Sequence, residues 1–252
     1  MTLQGKHALV TGGGTGIGLG IARALADQGA EVTITGRRLD VLQEVAKSNP
    51  RLHPAVMDVT DAQEVADVTA AAVAARGPVA ICIANAGIAE GRSLAKTDPD
   101  FWRSIMSTNL DGAYLTIREA LRSMHGQDWG RVIAISSIAG LRGLKGAAAY
   151  SASKHGVIGL IRALSADYLG KGITFNAICP AYVETDIINR NVASIKERAG
   201  ISEDEARAIM VNTNPHGRLI TVDEVASAAL WLCGDGSDSI NGQAIQISGG
   251  QI

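Results

Sequence analysis

At 252 residues the chain is long enough for one large or two small domains, on a usual scale of roughly 150 residues each. Hydrophobic residues make up 46% and charged residues 19%, which excludes a disordered chain. The 23 basic and 25 acidic residues leave a net charge of −2, with no footprint for nucleic acid or an anionic membrane surface. Apolar runs such as Val79 to Ala84 fall far below the ~18–20 residues that cross a bilayer. The start, Met1-Thr2-Leu3-Gln4-Gly5-Lys6, has no charged stretch followed by an apolar run, so no signal peptide is expected. Cys82, Cys179 and Cys233 are odd in number, sit in apolar stretches and lack metal-ligand spacing. They read as reduced, buried thiols in a cytoplasmic protein without a bound metal.

In chain order, β-branched runs at 7–11, 31–35, 52–57, 79–84, 131–136, 173–178 and 244–247 predict seven strands. Helical patterns lie between them. Ile17, Ile21 and Leu25 form a stripe at i, i+4, i+8, and 39–47, 62–76, 99–124 (as two helices), 150–169 and 222–233 read likewise. Asp98 before Pro99 is an N-cap followed by proline at the first helical position. Ser202-x-x-Glu205 and Thr221-x-x-Glu224 are capping boxes. Strands as uniformly apolar as 79–84 need cover on both faces. Repeated strand–helix–strand units then imply a single α/β domain over 1–252, a doubly wound, Rossmann-like parallel sheet with helices on both faces. The longest stretch between core elements is an insertion at about 180–215.

Glycine is abundant, 29 residues, and clusters at segment ends. The first predicted strand runs through Thr11-Gly12-Gly13-Gly14-Thr15-Gly16-Ile17-Gly18 directly into a helix. Such a turn presents free amides and a positive helix end where a pyrophosphate can sit. Its spacing is Gly12-x3-Gly16-x-Gly18, longer than Gly-x-Gly-x-x-Gly. The second strand ends at Thr35-Gly36-Arg37-Arg38, with no acid before Asp40 to hold an adenosine ribose. The two arginines are either solvated residues ahead of a helix or a clamp for a 2′-phosphate, which favours NADP(H) over NAD(H). Asp58 is placed either to accept from an adenine amino group or to cap the helix starting near Asp61. Asn85-Ala86-Gly87 follows the fourth strand at its C-terminal end, where open α/β sheets bind ligands.

Tyr150 and Lys154 are four residues apart at the start of a helical pattern and therefore share a face. An ammonium beside a phenol favours the phenolate and readies it for proton transfer. Ser137 lies directly after the fifth strand, where its hydroxyl can hold a carbonyl oxygen.

With these motifs in this order, the sequence resembles the short-chain dehydrogenase/reductase family over about residues 5 to 250. The resemblance rests on Thr11 to Gly18, Asn85-Ala-Gly87, Asn109, Ser137, Tyr150-x3-Lys154 and Pro180-x4-Thr185. It departs mildly at Ala84 and Ala181, where the family usually has Asn and Gly. The resemblance implies a catalytic tetrad. Tyr150 would be the acid/base and Ser137 would orient the substrate oxygen. Lys154 would lower the tyrosine pKa and hold the nicotinamide ribose, and Asn109 would support a proton-relaying water. It further implies cofactor contacts at Gly12, Thr15, Gly16, Ile17, Gly18, Arg37, Arg38, Asp58, Val59, Asn85, Ala86, Gly87, Tyr150, Lys154, Pro180, Val183 and Thr185.

The same resemblance implies a homotetramer that pairs the helices around 100–124 and 150–169. It also makes the segment from Pro180 to about Met210 a cover for the substrate. Ile187, Ile188, Val192, Ile195 and Met210 in that segment either line an apolar substrate site or pack its helices on the core. Gly217-Arg218-Leu219 and the stretch from Thr221 through Gly250 are similar to members acting on 3-oxoacyl or 3-hydroxyacyl thioesters. The expected function is hydride transfer between NADP(H) and a ketone or secondary alcohol, with an NAD(H)-dependent alcohol dehydrogenase as the alternative. A non-enzymatic dinucleotide sensor would not need both Tyr150 and Lys154. A sugar-nucleotide epimerase or dehydratase would want a longer substrate region.

Overall fold

The computed structural model describes residues 2–251, less the side chains of Ile187, Arg190, Ser194 and Arg198. Seven parallel strands form one sheet: β1 (His7–Thr11), β2 (Glu31–Gly36), β3 (Leu52–Val56), β4 (Val79–Ala84), β5 (Gly130–Ile135), β6 (Ile173–Pro180) and β7 (Ala244–Ile247). Their order is β3-β2-β1-β4-β5-β6-β7, so the winding reverses between β1 and β4. The helices are α1 (Gly16–Asp27), α2 (Leu39–Ala46), α3 (Ala62–Arg76), α4 (Pro99–Met106), α5 (Gly112–Met124), α6 (Ala148–Asp167), α7 (Asp186–Ala199), α8 (Glu203–Val211) and α9 (Val222–Cys233). None of the described helices is long and apolar enough to cross a membrane.

The period-two alternation of the strands explains why both sheet faces need cover. Ala8, Val10, Val32, Ile34, Ile81 and Ile83 pack on one face with Ile21 and Leu25 of α1 and Val225 and Ala229 of α9. Leu9, Cys82, Ala84, Val132 and Ala134 pack on the other with Ile117 of α5 and Val157 and Ile161 of α6. Each fully buried leucine or isoleucine stabilises the fold by about 1.5–3 kcal/mol. β3 is an edge strand with alternating burial, which is why it tolerates Pro54.

The sequence-derived boundaries shift by a residue or two. Met57 and Ser136, expected as strand ends, lie just beyond β3 and β5 but still donate their N–H groups to Gly36 (3.0 Å) and Ile178 (2.8 Å). β6 runs on to Pro180 because its pairing with β7 extends to Ile247. The 99–124 segment forms the two expected helices, α4 and α5, joined directly by a wide π turn at Ser107–Asp111. The insertion forms α7 and α8, the second opened by the Ser202–Glu205 capping box. They close over a satellite cluster of Ile188, Val192, Ala206, Met210 and Leu219.

Near the N-terminal ends of the strands, buried His7 has a fully determined hydrogen-bond set. Nδ1 lies 2.8 Å from the Gly77 carbonyl, which only accepts, so Nδ1 carries the proton. Nε2 lies 2.9 Å from the Thr33 hydroxyl, which also accepts from Arg76 Nε at 3.1 Å. Burial pushes the His7 pKa below its ordinary value of 6.5; the Arg76 cation and His53 add to this, and the Gly77 bond and Glu31 oppose it. Below pH 6.5 the unfolded chain therefore binds a proton that the folded protein resists, and stability is lost as pH falls through that window. Chemical denaturation should show the wild type losing more stability between pH 7 and about 5 than His7→Gln, whose side chain does not titrate.

Candidate active site

The site begins where β1 and β4 diverge. Thr11, the last residue of β1, accepts the N–H groups of Asn85 and Ala86 on its hydroxyl, each at 3.0 Å. Asn85 Nδ2 donates back to the Thr11 carbonyl at 2.8 Å. The chain then turns through Gly12 and Gly16, at φ 64° and 53°, the left-handed region that glycine tolerates. A Cβ on Gly18 would collide with the Gly12 carbonyl oxygen. Thr15 N-caps α1 without a side-chain hydrogen bond, and the first turn holds no acid. The helix thus keeps its positive end and first amides for an external anion, which fits a dinucleotide pyrophosphate.

Above the C-terminal strand ends lies a cleft of about 1270 Å³, larger than the ~300–1000 Å³ typical of one small ligand. Gly12, Thr15, Gly16, Ile17, Arg38, Asn85, Ala86, Gly87, Ser137, Tyr150, Lys154, Pro180, Val183 and Thr185 all line it. Others of the expected residues do not. Gly18 is buried beneath the turn, and exposed Arg37 stands outside the lining. Asp58 is engaged by Thr60, whose N–H and hydroxyl donate to it at 2.9 and 2.8 Å. The backbone bond from Thr60 is the leading cause that holds the Asp58 carboxyl below its usual range, and the Arg37 cation adds to it. The cap of α3 is instead Asp61, which accepts from Gln63 and Glu64. Val59 packs its side chain with Met57, Val65 and Leu115, so only its backbone can face a ligand.

Ser137 follows β5, and its hydroxyl accepts from the Ala139 N–H at 3.1 Å. Tyr150 sits in the first turn of α6 and Lys154 one turn later. The Lys154 ammonium lies 5.9 Å from the Tyr150 ring centroid and donates to the Ile135 carbonyl at 2.9 Å. Burial drives Lys154 down to about 8. Burial also pushes Tyr150 above its ordinary value of 10, opposed by a hydrogen bond with Ser137. In the protein alone the phenol is therefore raised, the opposite direction from the expected lowering, with desolvation the leading cause.

Asn109 is buried below the cleft, not in its lining. Its Oδ1 accepts from Ile88 N–H at 2.8 Å, and its Nδ2 donates to the Ile88 carbonyl at 3.0 Å and to Ser153 Oγ at 3.1 Å.

The far wall is apolar. Ile188, Ile195 and Met210 line the cleft, and Ile188 and Met210 also pack the satellite cluster, so both expected roles coexist. Val192 only packs, and the Ile187 side chain lies outside the described residues. Sequence reasoning missed Ile88, Leu144 and Tyr182 on this wall. They sit on loops without periodic pattern, and only their positions after β4, β5 and β6 could have flagged them. At the mouth, Arg92 is engaged by Glu90 at 3.0 Å and stacks over Phe101. No described group of His, Cys, Asp and Glu residues could hold a metal ion.

A glycine turn, an uncapped helix and a serine–tyrosine–lysine wall sharing one cleft define a dinucleotide-dependent oxidoreductase. The short chain dehydrogenase family profile matches residues 6–196, and the chain belongs to that family. It is an NAD(P)-dependent short-chain dehydrogenase/reductase acting on CH–OH and C=O groups. It is 34% identical to D-beta-hydroxybutyrate dehydrogenase of Cupriavidus necator, over 99% of both chains. It is 32% identical to 3-oxoacyl-[acyl-carrier-protein] reductase of Salmonella typhimurium, over 99% of this chain and 98% of the other. Among solved structures, a tryptophan variant of actinorhodin polyketide ketoreductase with NADPH matches with a TM-score of 0.94 and 33% identity, covering 100% of this chain and 99% of that one.

Gly18→Ala should displace the Gly12 carbonyl and weaken dinucleotide binding at least about tenfold while circular dichroism stays unchanged; titration calorimetry measures it.

Proposed function

We propose that the protein reduces a ketone with NADP(H), on substrates of the 3-oxoacyl type, and runs the reverse oxidation of the matching secondary alcohol. The observation that carries this reading is the meeting of Ser137, Tyr150 and Lys154 on one cleft wall, with the uncapped end of α1 in the same cleft. A dinucleotide held by the glycine turn and the first amides of α1 would supply the hydride chemistry. Ser137 holds the carbonyl oxygen by its hydroxyl, and Tyr150 donates the proton that this oxygen gains. A phenol kept neutral by burial is in the donating state at neutral pH. Lys154, buried and tethered to the Ile135 carbonyl, sets the charge beside the phenol and would hold the nicotinamide ribose. Asn109 holds the loop at Ile88 and supports a proton-relaying water next to Lys154.

The preference for the phosphorylated dinucleotide rests on Arg38, which lines the cleft after β2 where no acid stands. Arg37, outside the lining, plays the lesser part. Asp58 would accept from the adenine amino group, with the backbone of Val59 beside it. The apolar wall of Leu144, Tyr182, Ile188, Ile195 and Met210 suits an acyl body, and a relative named as a 3-oxoacyl reductase supports that class. An NAD(H)-dependent hydroxy-acid dehydrogenase is the competing reading, favoured by the hydroxybutyrate dehydrogenase relative. Assembly as a homotetramer through α4, α5 and α6 is supported by exposed Trp102 and Tyr114.

Two measurements test this reading. Tyr150→Phe should lower kcat by a factor on the order of 10²–10⁴ while the dinucleotide dissociation constant stays near wild type. Arg38→Ala should weaken NADPH about tenfold or more and leave NADH unchanged, and equal NADPH and NADH affinities in the wild type would overturn the preference.

A further inference from the structure

We propose that Ser153 is a positioning residue for the reaction. Its hydroxyl clamps the wide turn of Ser107–Asp111 to the first turn of α6 and so sets where the Lys154 ammonium stands beside Tyr150. The inference rests on the reading above, in which Tyr150 and Lys154 carry the proton transfer.

Ser153 is fully buried and does not line the cleft, so it cannot touch substrate. A serine within a helix commonly donates to a carbonyl one turn back, and Ser153 Oγ donates to the Tyr150 carbonyl at 2.7 Å. What sets it apart is its second bond. The same oxygen accepts from Asn109 Nδ2 at 3.1 Å, across two elements. The bonds run in one direction, Asn109 amide to Ser153 hydroxyl to Tyr150 carbonyl, so each polarises the next in a dry site.

The other end of Asn109 holds Ile88 by both backbone groups. Ile88 adjoins Gly87, and a Cβ there would lie 3.0 Å from Asn109 Oδ1 and 3.6 Å from Lys154 Nζ. The lysine head thus stands close to a loop that Asn109 holds, and Asn109 is in turn anchored by Ser153. An apolar contact holds the same seam. One turn beyond Ser153, a Cβ on Gly156 would meet Leu110 Cδ2 at 2.8 Å, so the π turn seats its Leu110 in the gap that Gly156 leaves. Removing the Ser153 oxygen leaves one Asn109 amide hydrogen unpaired in this interior, and the amide must rotate or the loop must shift.

The test is steady-state kinetics on Ser153→Ala across pH, with melting temperature measured in parallel. The expected result is a kcat about tenfold lower, with substrate KM and dinucleotide affinity within about twofold of wild type. The midpoint of the kcat–pH profile moves, while the melting temperature falls by several degrees and the protein stays folded at the assay temperature. Ser153→Cys, with similar bulk and weaker hydrogen bonding, shows the same displacement at smaller amplitude and serves if the alanine variant does not fold. A wild-type kcat and pH profile in these variants, or a kcat loss with the profile unmoved, overturns the inference. Tyr150→Phe, assayed beside them, separates the two failures. If it keeps full turnover, the underlying reading falls; if it is inactive while Ser153→Ala behaves as wild type, only the role of Ser153 falls.

Discussion

The seam between β1 and β4 is the constraint from which the site follows. Parallel strands deliver all their C-terminal ends to one side of the sheet, and here the winding reverses between these two strands. Helices leave in opposite directions at that point, and a crevice must open. Thr11 and Asn85 bind each other across it through backbone and side chain alike. That exchange fixes the loop that carries Gly87 and Ile88 against the glycine turn that leads into α1. Every group later assembled at the cleft is measured from these two loops.

Burial is the site's main electrostatic agent. It brings Lys154 down to about 8 and raises the Tyr150 phenol, in opposite directions for the cation and the would-be anion. Both shifts express one fact, that the interior near β5 and β6 solvates charge poorly. Cys179, behind the same residues, is pushed up to about 11 and stays an inert thiol. In this setting a few fixed dipoles, such as the Ile135 carbonyl on Lys154, count for more than they would in water.

The α7–α8 wall of the cleft is built to a different standard from its floor. The sheet and its helices share two broad clusters, whereas α7 and α8 close over a small cluster of their own. Among the described residues that cluster holds Ile188, Val192, Ala206, Met210 and Leu219. Buried Asn214 ties it to the floor, its amide donating to the carbonyls of Tyr182 and Arg218 at 3.0 and 2.8 Å.

The sequence by itself determined the strand–helix alternation, the parallel sheet, the glycine turn and the Ser137, Tyr150 and Lys154 set. These depend on hydrophobic periodicity and on spacings of a few residues, which local geometry converts directly into faces and turns. Only the tertiary structure brought Arg38 into the cleft lining and left Arg37 outside it, gave the α3 cap to Asp61 instead of Asp58, turned the Val59 side chain into the core and joined α4 to α5 by a π turn. It alone also joined Ser153 to Asn109, 44 positions apart, and let desolvation raise the Tyr150 phenol. Those outcomes turn on distance and desolvation between segments remote in the chain, and no local pattern encodes how far apart two such segments come to rest.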